Sequence, residues 1–160
     1  AENYSMAVSL GMSSCEAFLR LSRALLRQGQ PDQALNSCWA AIREQPGSYE
    51  AYCLLAEIYN MTGSHQDALA GVYVAIRIDP SRAEAYHLKG ISHRGLKEYG
   101  PAVEALRKAL DIDPGLGAAY WDLALTYYQS GDRQAAAEIC RALEKLDPEL
   151  SKQLMTEVSR

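Results

Sequence analysis

The sequence predicts an all-α protein, a solenoid of four helical pairs closed by a C-terminal capping helix. Three observations lead to this prediction. Apolar residues recur at helical spacing from Cys15 to Leu150, prolines recur every 34 residues, and the C-terminal tail has one apolar stripe. A single pair of short helices cannot bury its apolar faces alone, so the pairs must pack against each other.

The clearest helical pair runs from Tyr49 to Arg82. Gly63 separates its two helices, and Asp79 and Pro80 end the second one. Apolar residues at helical spacing mark the first helix at Tyr52, Leu55, Ala56 and Tyr59, and the second helix at Ala68, Val72 and Ala75. The small residues leave room where two helix backbones approach closely, and the larger ones fill the remaining space.

The same pattern recurs at intervals of 34 residues. The recurring positions are Pro46, Pro80, Pro114 and Pro148; Ala34, Ala68, Ala102 and Ala136; Phe18, Tyr52, Tyr86 and Tyr120; Ser22, Ala56, Gly90 and Ala124; and Gly29, Gly63 and Gly131, with Lys97 in the remaining glycine position. This pattern resembles the tetratricopeptide repeat family, whose unit has the same length. The resemblance implies a right-handed α-solenoid with repeats at 15–48, 49–82, 83–116 and 117–150, and a capping helix at 151–160.

Individual helices follow from this register. In the first repeat we expect helices from Cys15 to Gln28 and from Gln33 to Gln45. Two capping boxes, Ser13 with Glu16 and Ser81 with Glu84, are expected to open the first helices of repeats one and three. Pro101 is acceptable in the first turn of a helix, where its missing N–H costs little.

The C-terminal tail has the pattern of a capping helix. Leu143 replaces the small residue found at Ala41, Ala75 and Ala109, which indicates that a different element packs there. Leu150, Leu154 and Val158 recur every fourth residue beside charged neighbours, and solenoid ends require such a cover.

Residues 1–14 do not fit the repeat. Tyr4, Met6, Val8, Leu10 and Met12 alternate with small residues, which predicts an extended or disordered leader. An alternative is a segment that docks on another copy of the chain. The absence of an initial Met before Ala1 suggests processing, or excision from a longer protein.

Composition excludes several classes of function. There are 16 basic and 20 acidic residues, so no global positive field favours a nucleic-acid partner. No apolar run is long enough to span a bilayer, so we expect no membrane association. The four cysteines form no CxxC pair and predict free thiols in the reducing cytoplasm, with a disulfide or metal site as the alternative.

Catalytic motifs are lacking in the sequence. No HExxH, GxSxG or P-loop pattern occurs. His93 occupies a position where the repeat usually carries a buried Tyr, so we interpret it as a core residue, and His65 falls in a turn. We therefore predict no enzymatic activity and no cofactor.

A binding surface is the remaining candidate. In the family that the chain resembles, the first helix of each unit lines a concave groove for peptides. The matching positions are Leu19, Arg20, Arg23 and Arg27; Cys53, Leu54, Glu57 and Met61; His87, Leu88, Ile91 and Arg94; and Trp121, Asp122, Leu125 and Tyr128. Tyr120 occupies a core position, and adjacent residues of a helix face different ways. We therefore expect Trp121 to face the groove. The positions that hold a C-terminal carboxylate in chaperone-binding members do not match here.

These observations predict a protein-interaction module. We expect a peptide or helix of a partner protein in the groove, with apolar residues and with acidic residues that complement Arg20, Arg23 and Arg27. One alternative is the regulatory module of a larger enzyme or signalling protein. Another is a self-assembling scaffold in which the N-terminal leader of one chain fills the groove of the next.

Overall fold

The computed structural model describes residues 14–158, and all regular secondary structure in this range is helical. The helices are α1 (Ser14–Arg27), α2 (Pro31–Glu44), α3 (Tyr49–Met61), α4 (His65–Ile78), α5 (Ala83–Gly95), α6 (Tyr99–Ile112), α7 (Gly117–Ser130), α8 (Arg133–Leu146) and α9 (Pro148–Val158). The leader at residues 1–13 and Ser13 of the first predicted capping box lie outside the described residues.

The helix bounds follow the 34-residue period of the sequence. The second helix of each pair begins at Pro31, His65, Tyr99 or Arg133, each 34 residues after the one before. The first helices α3, α5 and α7 begin at Tyr49, Ala83 and Gly117 with the same step. The helix period read from the sequence is therefore present in the structure.

Three predicted helix starts are wrong by a few residues. The helix expected from Gln33 begins at Pro31, because proline fits the first helical position. The N-cap of α5 is Arg82 and not Ser81. Residue 82 lies 34 positions after Ser48, the N-cap of α3, so the start of the helix keeps the period of the repeat. The helix expected from residue 151 begins at Pro148, because the Asp147 carboxylate accepts the Leu150 N–H at 2.9 Å and caps it.

The chain divides into two compact units between Pro80 and Ser81. In the first unit α1 packs on α2, α3 packs on α4, and α2 and α1 both contact α3. The core of this unit contains Ala34, Ala41, Leu55 and Ile58. Ser22, in one of the small positions, is fully buried, and its hydroxyl donates to the Ala34 carbonyl at 2.8 Å. A polar residue is tolerated there because its hydrogen bond is made across the helix pair.

In the second unit α5 packs on α6, α7 packs on α8, and α6 contacts α7. A Cβ on Gly90 would lie 2.4 Å from Cγ of Leu106, so the backbone of α5 approaches α6 too closely for any larger residue. Proline at position 101 lies in the first turn of α6, as expected. His93 is 8% exposed, which confirms its interpretation as a core residue.

The tail helix α9 packs on α8 and α7. Leu143 and Leu154 are fully buried in one cluster, and Leu150 packs against it. The Ser151 hydroxyl donates to the Cys140 carbonyl at 2.9 Å and joins α9 to α8. Leu143 is therefore large because it meets the tail, as the sequence indicated; the side chain of Val158 lies outside the described residues.

Candidate functional site

The first helix of unit one presents a row of arginines. Arg20, Arg23 and Arg27 are all exposed on α1. Arg20 is paired with Glu16 one turn earlier, with 2.7 Å between Nη2 and Oε1. Within the described part of the chain, Arg23 and Arg27 make no ion pair. Two of the three cations are thus available to a ligand.

Arg23 and Arg27 line a cleft of about 480 Å³ in unit one. Its lining residues come from the first helices of two successive pairs, α1 and α3, and are Arg23, Leu26, Arg27, Glu57 and Met61. Met61 is 65% exposed, compared with 38% to 48% for the other exposed large apolar side chains of the described residues. Four of the five lining residues were expected from the sequence. Leu26 was missed, although it lies three residues after Arg23 and therefore on the same helix face.

Four predicted groove residues lie in the interior instead. Leu19, Cys53, Leu54 and Leu88 are 9%, 2%, 1% and 8% exposed. Leu19 and Leu54 belong to the core cluster of unit one. The expectation that these four side chains line an open groove is therefore wrong, because packing against neighbouring helices buries them.

Unit two holds an ion network on its first helices, α5 and α7. The Asp122 carboxylate lies between two partners, with 2.7 Å from Oδ2 to Nε2 of His87 and 2.6 Å from Oδ1 to Nη2 of Arg94. A carboxylate only accepts hydrogen bonds, so Nε2 of His87 carries a proton. The three side chains are 13% to 20% exposed, and Nε of Arg94 is buried with no hydrogen-bond partner among the described residues. Asp122 thus neutralises the charge of Arg94, another residue that was expected in the groove.

The remaining predicted residues of unit two are partly buried. Trp121 and Leu125 pack against the cluster that α9 completes, and Ile91 and Tyr128 are also intermediate in exposure. The guanidinium carbon of Arg133 lies 5.7 Å from the centre of the Tyr128 ring, in cation–π range. Trp121 therefore supports the core of unit two as well as its surface.

A second cleft, of about 310 Å³, lies at the start of α5. It is lined by Arg82, Ala83, Glu84, His87, Ile112, Asp113 and Leu116, of which only His87 was expected from the sequence. Its Arg82 is paired with Glu84 at 3.4 Å, and the Asp113 carboxylate accepts the Gly115 N–H at 2.9 Å. The charges of this cleft are largely engaged within the chain.

The other candidate chemical groups have structural partners. Nδ1 of His93 lies 2.6 Å from the Glu98 carboxylate, and Nδ1 of His65 lies 3.1 Å from the Asn60 side-chain oxygen. Residues 14–158 contain no cluster of three or more side chains arranged to hold a metal ion. All four cysteines are buried and none of them forms a disulfide, and burial raises the pKa of the Cys38 thiol to about 12. Across that same range, no helix has the length and apolar character needed to cross a bilayer.

Solved structures with the same fold cover most of the chain. The crystal structure of MamA matches with 26% identity and a TM-score of 0.75, over 93% of this chain and 87% of that one. The structure of TTC0263, a thermophilic TPR protein in Thermus thermophilus, matches with 22% identity and a TM-score of 0.81, over 90% and 80%. MamA from Desulfovibrio magneticus RS-1 matches with 21% identity and a TM-score of 0.74, over 84% and 76%. The predicted all-α solenoid fold is confirmed by these likenesses.

Two models of one protein family match the chain. Models described as "Tetratricopeptide repeat" match residues 19–83 and residues 94–157. No curated protein matches the chain at a significant level. Together the two models account for most of the sequence, and they confirm the family that the 34-residue pattern indicated. The chain therefore belongs to the tetratricopeptide repeat family, a family of protein-interaction modules.

Proposed function

We propose that the chain is a non-catalytic module that binds a peptide or helix of a partner protein on the surface of its first helices. The cleft between α1 and α3 is the observation that carries this proposal. It combines an exposed apolar side chain, Met61, with the cations of Arg23 and Arg27. Neither arginine forms an ion pair with another described residue. Methionine and arginine are enriched at protein interfaces.

The charge of the cleft favours an acidic ligand. Arg23 and Arg27 stand four residues apart on α1, so both side chains reach the same face. A carboxylate can accept two parallel N–H donors from one guanidinium, which gives geometric specificity as well as attraction. Leu26 and Met61 then remain to contact an apolar side chain of the same ligand.

The location of binding is testable by site-specific crosslinking in cells. A photo-crosslinking amino acid at position 61 is expected to trap a partner protein. The same group at Met155, 41% exposed on α9, serves as a matched control. Equal adducts at both positions, or none at position 61, would contradict the proposal.

The acidic character of the ligand is tested with the partner trapped in this way. Arg23→Glu is expected to slow association and to reduce its dependence on salt, because attraction between opposite charges acts mainly on the association rate. Arg43→Glu, an exposed arginine of α2 outside the cleft, makes the same charge change and is expected to have little effect. Faster association of the Arg23→Glu variant would mean a basic ligand.

We also infer a reducing, cytoplasmic location. All four cysteines are buried thiols that form no disulfide, which is the usual pattern in reducing compartments. Cells are lysed under denaturing conditions in the presence of a thiol reagent, so that buried thiols become accessible at once. We expect all four cysteines of the protein to be labelled. A disulfide in freshly lysed cells would contradict this inference.

A further inference from the structure

The cleft in unit one contains charges of both signs. Arg23 and Arg27 lie on its α1 wall and Glu57 lies on its α3 wall, and all three are exposed. Opposite charges on facing helices commonly pair, yet the ion pairs of the described residues do not include Glu57 with either arginine. The three charged groups therefore face solvent, each without an ion-pair partner in the described part of the chain.

We infer that this cleft recognises a partner segment that carries an acidic and a basic residue on one face, with an apolar residue between them. The inference rests on the proposed function and names the ligand more closely. The ligand's acid faces Arg23 and Arg27, its base faces Glu57, and its apolar side chain contacts Leu26 and Met61.

Charge complementarity distinguishes this ligand from a purely acidic one. A second carboxylate beside Glu57 would be repelled, and more strongly at a protein surface than in bulk water, because the effective dielectric constant is lower there. A lysine or arginine at that point gains a similar attraction instead. Unfavourable pairing of like charges is a common source of specificity, so Glu57 selects against acidic tracts.

The arrangement also fixes the direction of the ligand. Because the cations are on α1 and the anion is on α3, a segment bound the other way round would place like charges together. On a ligand helix, residues at i, i+3 or i+4, and i+7 share one face, which provides the three contacts in order. A dipolar cleft therefore accepts such a segment in one orientation.

The experiment is a selection from a phage-displayed library of random dodecapeptides on the intact chain. The native protein is expected to enrich peptides with an acidic residue, an apolar residue and a basic residue at a constant spacing. Selection on Glu57→Lys should lose the basic residue and keep the acidic one, and selection on the double variant Arg23→Glu and Arg27→Glu should lose the acidic one. Arg43→Glu and Glu44→Lys on α2 are the matched controls, and both should enrich the native consensus.

Affinities of synthetic peptides from the native selection complete the test. Loss of the contact with Glu57 should weaken binding of the selected peptide about tenfold, the effect of one charge pair at an interface. Enriched peptides without a basic residue, or with one that Glu57→Lys still selects, would overturn this inference and leave the proposed function standing. Failure of the native protein to enrich any peptide would overturn the proposed function and the inference with it.

Discussion

Lys97 adopts the same left-handed backbone conformation as Gly131, the residue 34 positions after it, with φ of 62° and 91°. The turns around them also share a hydrogen bond, from the Glu98 N–H to the His93 carbonyl and from the Asp132 N–H to the Tyr127 carbonyl, each at 2.9 Å. Glycine adopts this conformation without steric cost, whereas a residue with a Cβ atom does so only with strain. Unit two therefore holds a strained lysine where the repeat otherwise uses glycine.

Replacing Lys97 by Gly is expected to stabilise the protein. Removing the Cβ relieves about 1–2 kcal/mol of steric cost, and the greater freedom of glycine in the unfolded chain offsets roughly half of it. A net gain of about 0.5–1 kcal/mol in the free energy of unfolding should appear in urea titrations. Gly131→Lys, the reciprocal change, should be destabilising; shifts of the same sign in both variants would contradict the argument.

Ala68→Leu is expected to destabilise unit one. Ala68 is fully buried at a small position of α4, so the larger side chain must displace its neighbours. Overpacking of a filled core costs about 1–3 kcal/mol. Ala102→Leu, at the equivalent buried position of unit two, should behave similarly. Unchanged urea midpoints for both variants would show that these positions are not close helix contacts.

The tail helix is expected to stabilise unit two through Leu154. This side chain is fully buried against Leu143, and Leu154→Ala should cost about 2–5 kcal/mol. Met155→Ala is the matched control, because Met155 is the exposed neighbour on the same helix. Thermal unfolding of both variants tests the pair, and equal losses would mean that α9 does not depend on this contact.

The sequence predicted those features that depend on position within one repeat. The small positions at Ala68 and Ala102 and the contact of Leu143 with the tail follow from the 34-residue register. The same register places Lys97 where the other repeats have glycine, and the structure adds that this lysine has a left-handed backbone conformation. Each is a local or nearest-neighbour property, and in repeat proteins such properties recur with the period.

Features that need two helices in place were missed. Asp122 joins His87 and Arg94, which are 35 and 28 residues away, and nothing in the pattern of one helix indicates such pairing. Leu54 and Leu88 occupy positions that the family resemblance assigns to a groove, yet contacts with neighbouring helices bury them. Burial at the edge of a helical face is decided by the size of the neighbours and not by periodicity.

Alkaline pH is expected to destabilise the protein through Cys38. Burial, with a smaller contribution from Cys15, raises the pKa of this thiol from 9.0 to about 12. The unfolded chain therefore loses the Cys38 proton at lower pH than the folded protein, so the stabilisation is complete below pH 9 and is lost as pH rises toward 12. Between these values the free energy of unfolding should fall by up to about 1.4 kcal/mol per pH unit more than in Cys38→Ala. Parallel pH profiles for the two proteins would contradict this prediction.

Asp122→Asn is expected to destabilise unit two. The substitution keeps the shape of the side chain but leaves Arg94, 20% exposed, and His87, 15% exposed, without their carboxylate. Exposed ion pairs contribute up to about 1 kcal/mol, whereas breaking a buried pair costs about 3–5 kcal/mol. At this intermediate burial we expect a loss of roughly 1–3 kcal/mol in urea unfolding.

A double-mutant cycle separates the Asp122–Arg94 ion pair from the packing of the two side chains. Removing both charges with Asp122→Leu and Arg94→Leu should recover much of the loss, because no uncompensated guanidinium then remains. The loss in Asp122→Asn should also change little with added salt, since partly buried pairs are screened less than exposed ones. If Asp122→Asn has the same urea midpoint as the native protein, the contacts of Asp122 with His87 and Arg94 contribute no net stability.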